Sequence, residues 1–230
     1  MRAIFHGLRD KSHGLGVDFS GEMIRTWIYV TDIDNRYARM VSVRKAFFDE
    51  VGLTARTHYL ASTGIEASAA FPGALVIVDA YAVKGLLPGQ VSFLRAADHL
   101  CPTDRYGVTF ERGTAVTYGD RVHLFISGTA SIDREGALLF PGDVTTQARR
   151  AIQNVEALLR KGGAGRMDVT HAIVYLRDAA DRDAVAGVME EWLPGVPTVH
   201  VRAAVCRPGW LVEIECSAII PSSRAAFPPF

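Results

Sequence analysis

Two stretches far apart in this 230-residue chain read as copies of one another, and that repetition restricts the fold more than any other feature. Ile28-Tyr29-Val30-Thr31-Asp32 matches Val174-Tyr175-Leu176-Arg177-Asp178, each a β-type run leading into a helical pattern. Further on, LVIVDAYAV at 75–83 matches LVEIECSAI at 211–219, with Leu, Val and Ala recurring in place and Asp79 opposite Glu215. Self-similarity of this kind means one supersecondary unit used twice. Each copy reads β-α-β-β, and the second carries an additional hairpin and helix in front, which the first lacks. The expected class is α+β, a tandem of mixed sheets with helices packed on one face and the first repeat truncated.

The remaining pattern fills in this frame. Residues 1–22 are Gly-rich and carry no clear periodicity. MIRTWIYV at 23–30 is a strand, and Asp34 is placed to cap a helix whose apolar stripe is Tyr37, Val41, Arg44, Phe48 and Val51, with Gly52 as its stop. Strands follow at 57–64 and 75–83, with a loop at 66–73 between them. The stretch 90–100 reads as a short helix in a connection. Strands at 109–118 and 121–127 flank the turn Gly119-Asp120. Asp143 caps a helix with the stripe Val144, Ala148, Ile152, Val155 and Leu159, ended by Gly162-Gly163. A strand at 170–176 and a helix at 179–192 precede a closing hairpin at 199–219, turned at Arg207-Pro208-Gly209. The organisation is a partial repeat at 1–84, a connection at 85–108, a complete domain at 109–220 and a tail at 221–230.

The closing stretch concentrates the chemistry. Alternation along a strand sorts His200, Arg202, Ala204 and Cys206 onto one face, and Leu211, Glu213, Glu215 and Ser217 onto one face of the next strand. Val212, Ile214, Cys216 and Ala218 face a core. In a hairpin with the first two sets on the same side, a His, an Arg, a thiol and two carboxylates converge. Glutamates on a half-solvated strand are ordinary, but the repeat sharpens the reading, because Ile77 stands where the second copy has Glu213. A purely structural outward position has no reason to alternate between Ile and Glu.

Composition closes off several classes of function. Apolar residues make up 49%, and 25 basic residues balance 25 acidic ones, so nothing draws the chain toward nucleic acid or an anionic membrane. Cys101, Cys206 and Cys216 have no metal-ligand spacing, which fits a reduced, cytoplasmic protein. Phosphate-binding, dinucleotide and zinc-protease motifs are missing, no apolar run is long enough for a membrane span, and the N-terminus lacks a signal-peptide core. No metal or organic cofactor is expected.

LFISGTASID, GDVTTQARRAIQNVEALLRKGG, THAIVYLRDAADRDAV and LVEIECSAI, in that order over about 109–220, resemble the Rid (YjgF-like, reactive intermediate deaminase) superfamily, and residues 23–83 resemble the back half of a second Rid domain. The Cys206-Arg207 pair followed by LVEIE, together with IRTWIYVTDID, STGIEA at 62–67, FERG at 110–113 and SGTASI at 127–132, resembles the chorismatases, which are tandem Rid-fold enzymes that hydrolyse chorismate. The resemblance implies ligand sites between domains, a small carboxylate substrate and a homo-oligomer with a trimer-like arrangement of domains. It also implies one of two activities. Imine and enamine deaminases of the superfamily bind the substrate carboxylate through an Arg near the place of His200, and here Arg202 stands two residues on. Chorismatase-like chemistry instead breaks an enolpyruvyl ether by protonating its terminal carbon. A non-catalytic ligand-binding module is the third alternative.

For carbon protonation the acid must be held neutral and aimed, and Glu213, flanked by Val212 and Ile214, suits that role. Arg112, Arg202 and Arg207 are candidates for carboxylate binding, since a guanidinium fork matches a carboxylate at two points. Gly128 and Thr129 offer a backbone N–H and a hydroxyl. Each residue also has a structural alternative. Arg202 or Arg207 would pair with Glu213 or Glu215, Cys206 would wall a pocket, and His200 would be an ordinary strand histidine.

Overall fold

The computed structural model describes residues 1–68 and 73–230; the loop expected at 66–73 lies partly outside them. The first unit runs α1 (Arg2–Gly14), β1 (Met23–Val30), α2 (Ile33–Glu50), β2 (Ala61–Glu66), β3 (Val76–Ala82). The edge strand β4 (Val91–Phe93) leads into the second unit, β5 (Gly113–Thr117), β6 (Arg121–Thr129), α3 (Val144–Lys161), β7 (Val169–Leu176), α4 (Arg182–Trp192), β8 (Thr198–Arg202), β9 (Val212–Pro221). One sheet has the order β2-β1-β3 and the other β4-β5-β6-β9-β7-β8.

The repeat is visible in the pairing. In the first unit β1 is parallel to β2 and antiparallel to β3, and in the second β7 is parallel to β8 and antiparallel to β9. Tyr29 pairs with Ile77, and Tyr175 pairs with Glu213, so the register agrees residue for residue with the sequence match. In both units a carboxylate opens the following helix. Asp32 is the N-cap of α2, in the left-handed region at φ 53°, and Asp178 caps the 3₁₀ turn Ala179–Asp181 that leads into α4, accepting from Ala180 N at 2.9 Å. The cap of α2 is therefore Asp32 rather than Asp34, and Asp34 instead binds Arg177 at 2.9 Å.

Three expectations need correction. The stretch 199–219 is not a hairpin, because β7 lies between β8 and β9 and residues 203–211 cross over it. A strand that returns through a helix pairs parallel to its predecessor, and β7-α4-β8 does so here. The helix expected at 90–100 is instead the short β4, Val91 pairing with Val116 and Phe93 with Thr114. β-type residues beside an exposed sheet edge outweighed a weak helical spacing. The first unit also has a helix ahead of its first strand. Phe5 of α1 is fully buried, stacked on Phe47 of α2 at 5.1 Å, so α1 precedes β1 and packs on α2 as α3 precedes β7 and packs on α4. Gly7 and Gly14 and the charged residues around them masked this helix in the sequence.

The two cores are separate. Val212, Ile214, Cys216 and Ala218 pack with Ala148, Val155, Leu158 and Val185 of α3 and α4. Ile28, Val30, Phe47 and Phe48 form the core of the first unit. Helices cover one face of each sheet, and the other faces turn toward one another. At that junction Arg25 of β1, 1% exposed, binds Glu215 of β9 at 2.5 Å and Thr63 of β2 at 2.8 Å, while Trp27 Nε1 donates to Glu215 at 2.9 Å. Among the described residues, no helix is long and apolar enough to cross a membrane.

Candidate functional site

The cleft between the two units ends on Glu213. Tyr37, Met40 and Arg44 of α2 form one wall, with Ser62 and Gly64 of β2 beside them. The second unit supplies Phe110, Arg112, Gly128, Cys206, Arg207, Trp210 and Glu213. The cleft is narrow: its free interior is about 20 Å³, room for about one water molecule.

Glu213 is 4% exposed. Burial pushes its carboxyl up to about 8, the Glu215 charge two residues on adds to this, and Arg112 opposes it. This shift favours the protonated form near neutral pH, the form that can give a proton. Arg112 is 5% exposed, lies over the Phe110 ring at 5.1 Å and donates to Cys101 O at 3.0 Å. Arg44 is 2% exposed and donates from Nε to Thr109 Oγ1 at 3.0 Å. Arg207 stands over Trp210 at 5.4 Å. Gln147 of α3 holds the turn that carries Arg207 and Trp210, donating to Gly209 O at 3.1 Å and accepting from Leu211 N at 2.9 Å.

The structure thus brings together Glu213, Arg112, Arg207, Cys206 and Gly128. It takes His200, Arg202 and Thr129 elsewhere. Val174 pairs with both His200 and Ile214, so His200 shares the helix-covered face with the core residues, opposite to Glu213. Its Nε2 is buried with no hydrogen-bond partner among the described residues, and burial, then Arg182, hold the ring below the usual histidine range. Arg202 is exposed and lines a different groove, with Tyr29 and Tyr175. Thr129 is fully buried and gives its hydroxyl to Ser127 O at 2.8 Å. The Gly128 N–H is taken by Thr63 Oγ1 at 2.9 Å, so it is committed to the protein. Inserting β7 between β8 and β9 is what separates the two faces that a hairpin would have merged.

Cys206 sits beside Glu213, within hydrogen-bonding reach of the Tyr37 side chain, and burial pushes its thiol up to about 12. A thiol held in that form is a poor nucleophile, which makes it a wall of the cleft. Tyr37, Arg44, Phe110 and Trp210 were not read as site residues from the sequence. Arg44 did carry a signal, because an arginine in the apolar stripe of a helix needs a buried partner or a ligand.

The comparisons agree with this architecture. The family model described as endoribonuclease L-PSP matches residues 113–220. A RutC family protein of Pyrococcus abyssi is 33% identical over 96 residues, 42% of this chain and 76% of that protein. A chorismatase crystal structure superposes with a TM-score of 0.80 at 26% identity, over 94% of this chain and 69% of that one. RidA from the Antarctic bacterium Psychrobacter sp. PAMC 21119 matches at a TM-score of 0.47 and 25% identity, over 56% of this chain and 99% of that one. With a third of the aligned residues identical across three-quarters of a RutC family protein, and both units laid out as in a chorismatase, the chain belongs to the Rid superfamily in its tandem, chorismatase-like form.

Proposed function

We propose that this protein hydrolyses an enol ether of a small carboxylate, of the chorismate type, with Glu213 as the acid that protonates carbon. One observation carries the reading: a buried carboxyl, pushed toward its neutral form by burial and by Glu215, closes a cleft whose other polar walls include Arg44, Arg112 and Arg207. Cations at the walls suit a substrate with carboxylates, and a neutral acid at the end suits a step that needs a proton rather than a charge. The Glu213 carboxyl gives its proton to the terminal CH₂ of the vinyl ether, leaving an oxocarbenium ion beside the new carboxylate. Water adds to that ion and returns a proton to Glu213. The hemiketal then collapses to pyruvate and an alcohol. The buried position lets the acid discriminate, because ionised Glu213 stabilises the cation it has just made.

Imine or enamine hydrolysis is the alternative within the superfamily. It is supported less well, because Arg202 and His200, the residues that would meet the substrate carboxylate, lie outside the cleft that contains Glu213.

The test is pyruvate release from chorismate by wild-type protein and by Glu213→Gln, which preserves size and hydrogen-bonding capacity. Release that falls by at least about 10²-fold in a folded variant is expected for loss of a positioned acid. Full activity in Glu213→Gln would remove the proposed role, and no release by the wild type would direct the assay to 2-aminoacrylate.

A further inference from the structure

Strand β6 is irregular where it meets the candidate acid. Its pairing with β9 shifts register between Ile126 and Thr129, which marks a bulge at Ser127 and Gly128. Both bulged residues are held by β2 of the other unit. Ser62 N donates to Ser127 Oγ at 2.9 Å, and Gly128 N donates to Thr63 Oγ1 at 2.9 Å. The Thr63 hydroxyl also donates to Glu215 Oε2 and accepts from Arg25 at 2.8 Å. Gly128 in turn lies directly against the acid. A Cβ built there would overlap Glu213 Oε1 and come within 2.8 Å of the Thr63 methyl. Glu213 and Glu215 share one face of β9, about 7 Å apart along the strand. The contacts therefore close a ring, Glu215 to Thr63 to Gly128 to Glu213.

We propose that Thr63 is a positioning residue for Glu213, its hydroxyl fixing the Gly128 bulge and the Glu215 carboxylate between which the acid is held. This rests on the reading of Glu213 as the acid, and it assigns the first unit a task in the chemistry beyond walling the cleft. Thr63 is 1% exposed and does not line the cleft, so it acts through its neighbours. The other charged or titratable groups around Glu213 are Arg112, Cys206 and Arg207 in the second unit, Tyr37 and Arg44 from α2, and Tyr175 of β7, paired directly with it. None of these joins the bulge to Glu215.

The variants are Thr63→Val, which keeps the shape and loses the hydroxyl, Thr63→Ser, which restores it, and Gly128→Ala. Two readouts are needed. The first is the protonated-carboxyl stretch of Glu213 in difference infrared spectra over a pH titration, assigned with Glu213→Gln, which needs no substrate. The second is pyruvate release with kcat and KM separated. Thr63→Val is expected to move both the band and its titration midpoint, with Thr63→Ser close to wild type. Its kcat is expected to fall by about 10²-fold at unchanged KM, the loss typical of an acid displaced by about 1 Å. Gly128→Ala is expected to displace the band as well, since its methyl occupies the carboxyl's place. An unchanged band and midpoint in folded Thr63→Val overturns the proposal. A shifted band together with no turnover by any form, wild type included, retains the positioning role and overturns the enol-ether reading instead.

Discussion

Glu213 and Glu215 lie two residues apart on one face of one strand, yet they have different surroundings. Glu215 meets Arg25, Trp27 and Thr63, and so is compensated. Glu213 faces the cleft and is held neutral by burial and by its neighbour. Environments that push two like groups apart are how one protein assigns acid and structural roles to the same side chain. The sign of the pH dependence follows. An acid needed in its protonated form works below its pKa, so turnover is expected to be level toward neutral pH and to fall as pH rises through about 8. Stability moves the same way. The unfolded glutamate ionises near its ordinary value while the folded one keeps its proton, so the folded form holds more protons between these values and stability falls across that window as pH rises. Glu213→Gln removes this dependence. Thermal melts are therefore expected to show a larger gain in Tm for the variant at pH 8 than at pH 5.

Among the elements, the turn after β8 matters more to the cleft than β8 itself. Arg207 and Trp210 are carried by a segment with no ladder of its own, held by Gln147 of α3 at Gly209 and Leu211 and by Arg177 at the carbonyls of Arg207 and Trp210. Gln147 is fully buried, so its loss leaves backbone groups unpaired. Gln147→Ala is expected to cost about 1–3 kcal/mol in urea unfolding, and to raise KM for a carboxylate substrate more than it lowers kcat, because Arg207 loses its footing while Glu213 stays in place. The bulge in β6 serves the same end from the other side, turning the Gly128 N–H away from β9 and toward the first unit.

The whole molecule depends on the junction of two sheet faces. One ion pair, Arg25 with Glu215, lies inside that junction with both side chains at most 4% exposed. Removing one partner of such a pair leaves a buried charge uncompensated. Arg25→Met is expected to cost about 3–5 kcal/mol in denaturant unfolding, whereas exchange of the exposed Arg134 in its pair with Glu135 is expected to change stability by less than about 1 kcal/mol. Similar losses for the two variants would show that the junction does not rely on the pair.

Much of this arrangement is legible in the sequence. The repeat, the class, the helix capped by Asp143 and the distinction between Ile77 and Glu213 are local or periodic properties, and a strand or helix pattern is written in the order of apolar residues. The helix at 2–14 was obscured because glycines and charges thin out its apolar face, leaving Phe5 to carry the packing. The candidate site was only half visible. Glu213, Arg112, Arg207, Cys206 and Gly128 could be named from the sequence, but His200 and Arg202 were drawn in by a hairpin that does not exist, and the Thr129 hydroxyl is spent on Ser127 O. Strand order is a long-range choice. β8 and β9 are adjacent in sequence, yet β8 pairs with the strand that α4 returns it to, and that single insertion of β7 reverses which face His200 occupies. Local residue order determined the elements and their apolar faces, because those follow from backbone geometry within a few residues. The depth of Glu213, its company of arginines and its dependence on Thr63 were decided only when two remote segments packed together, because burial and compensation of charge are properties of the assembled interior.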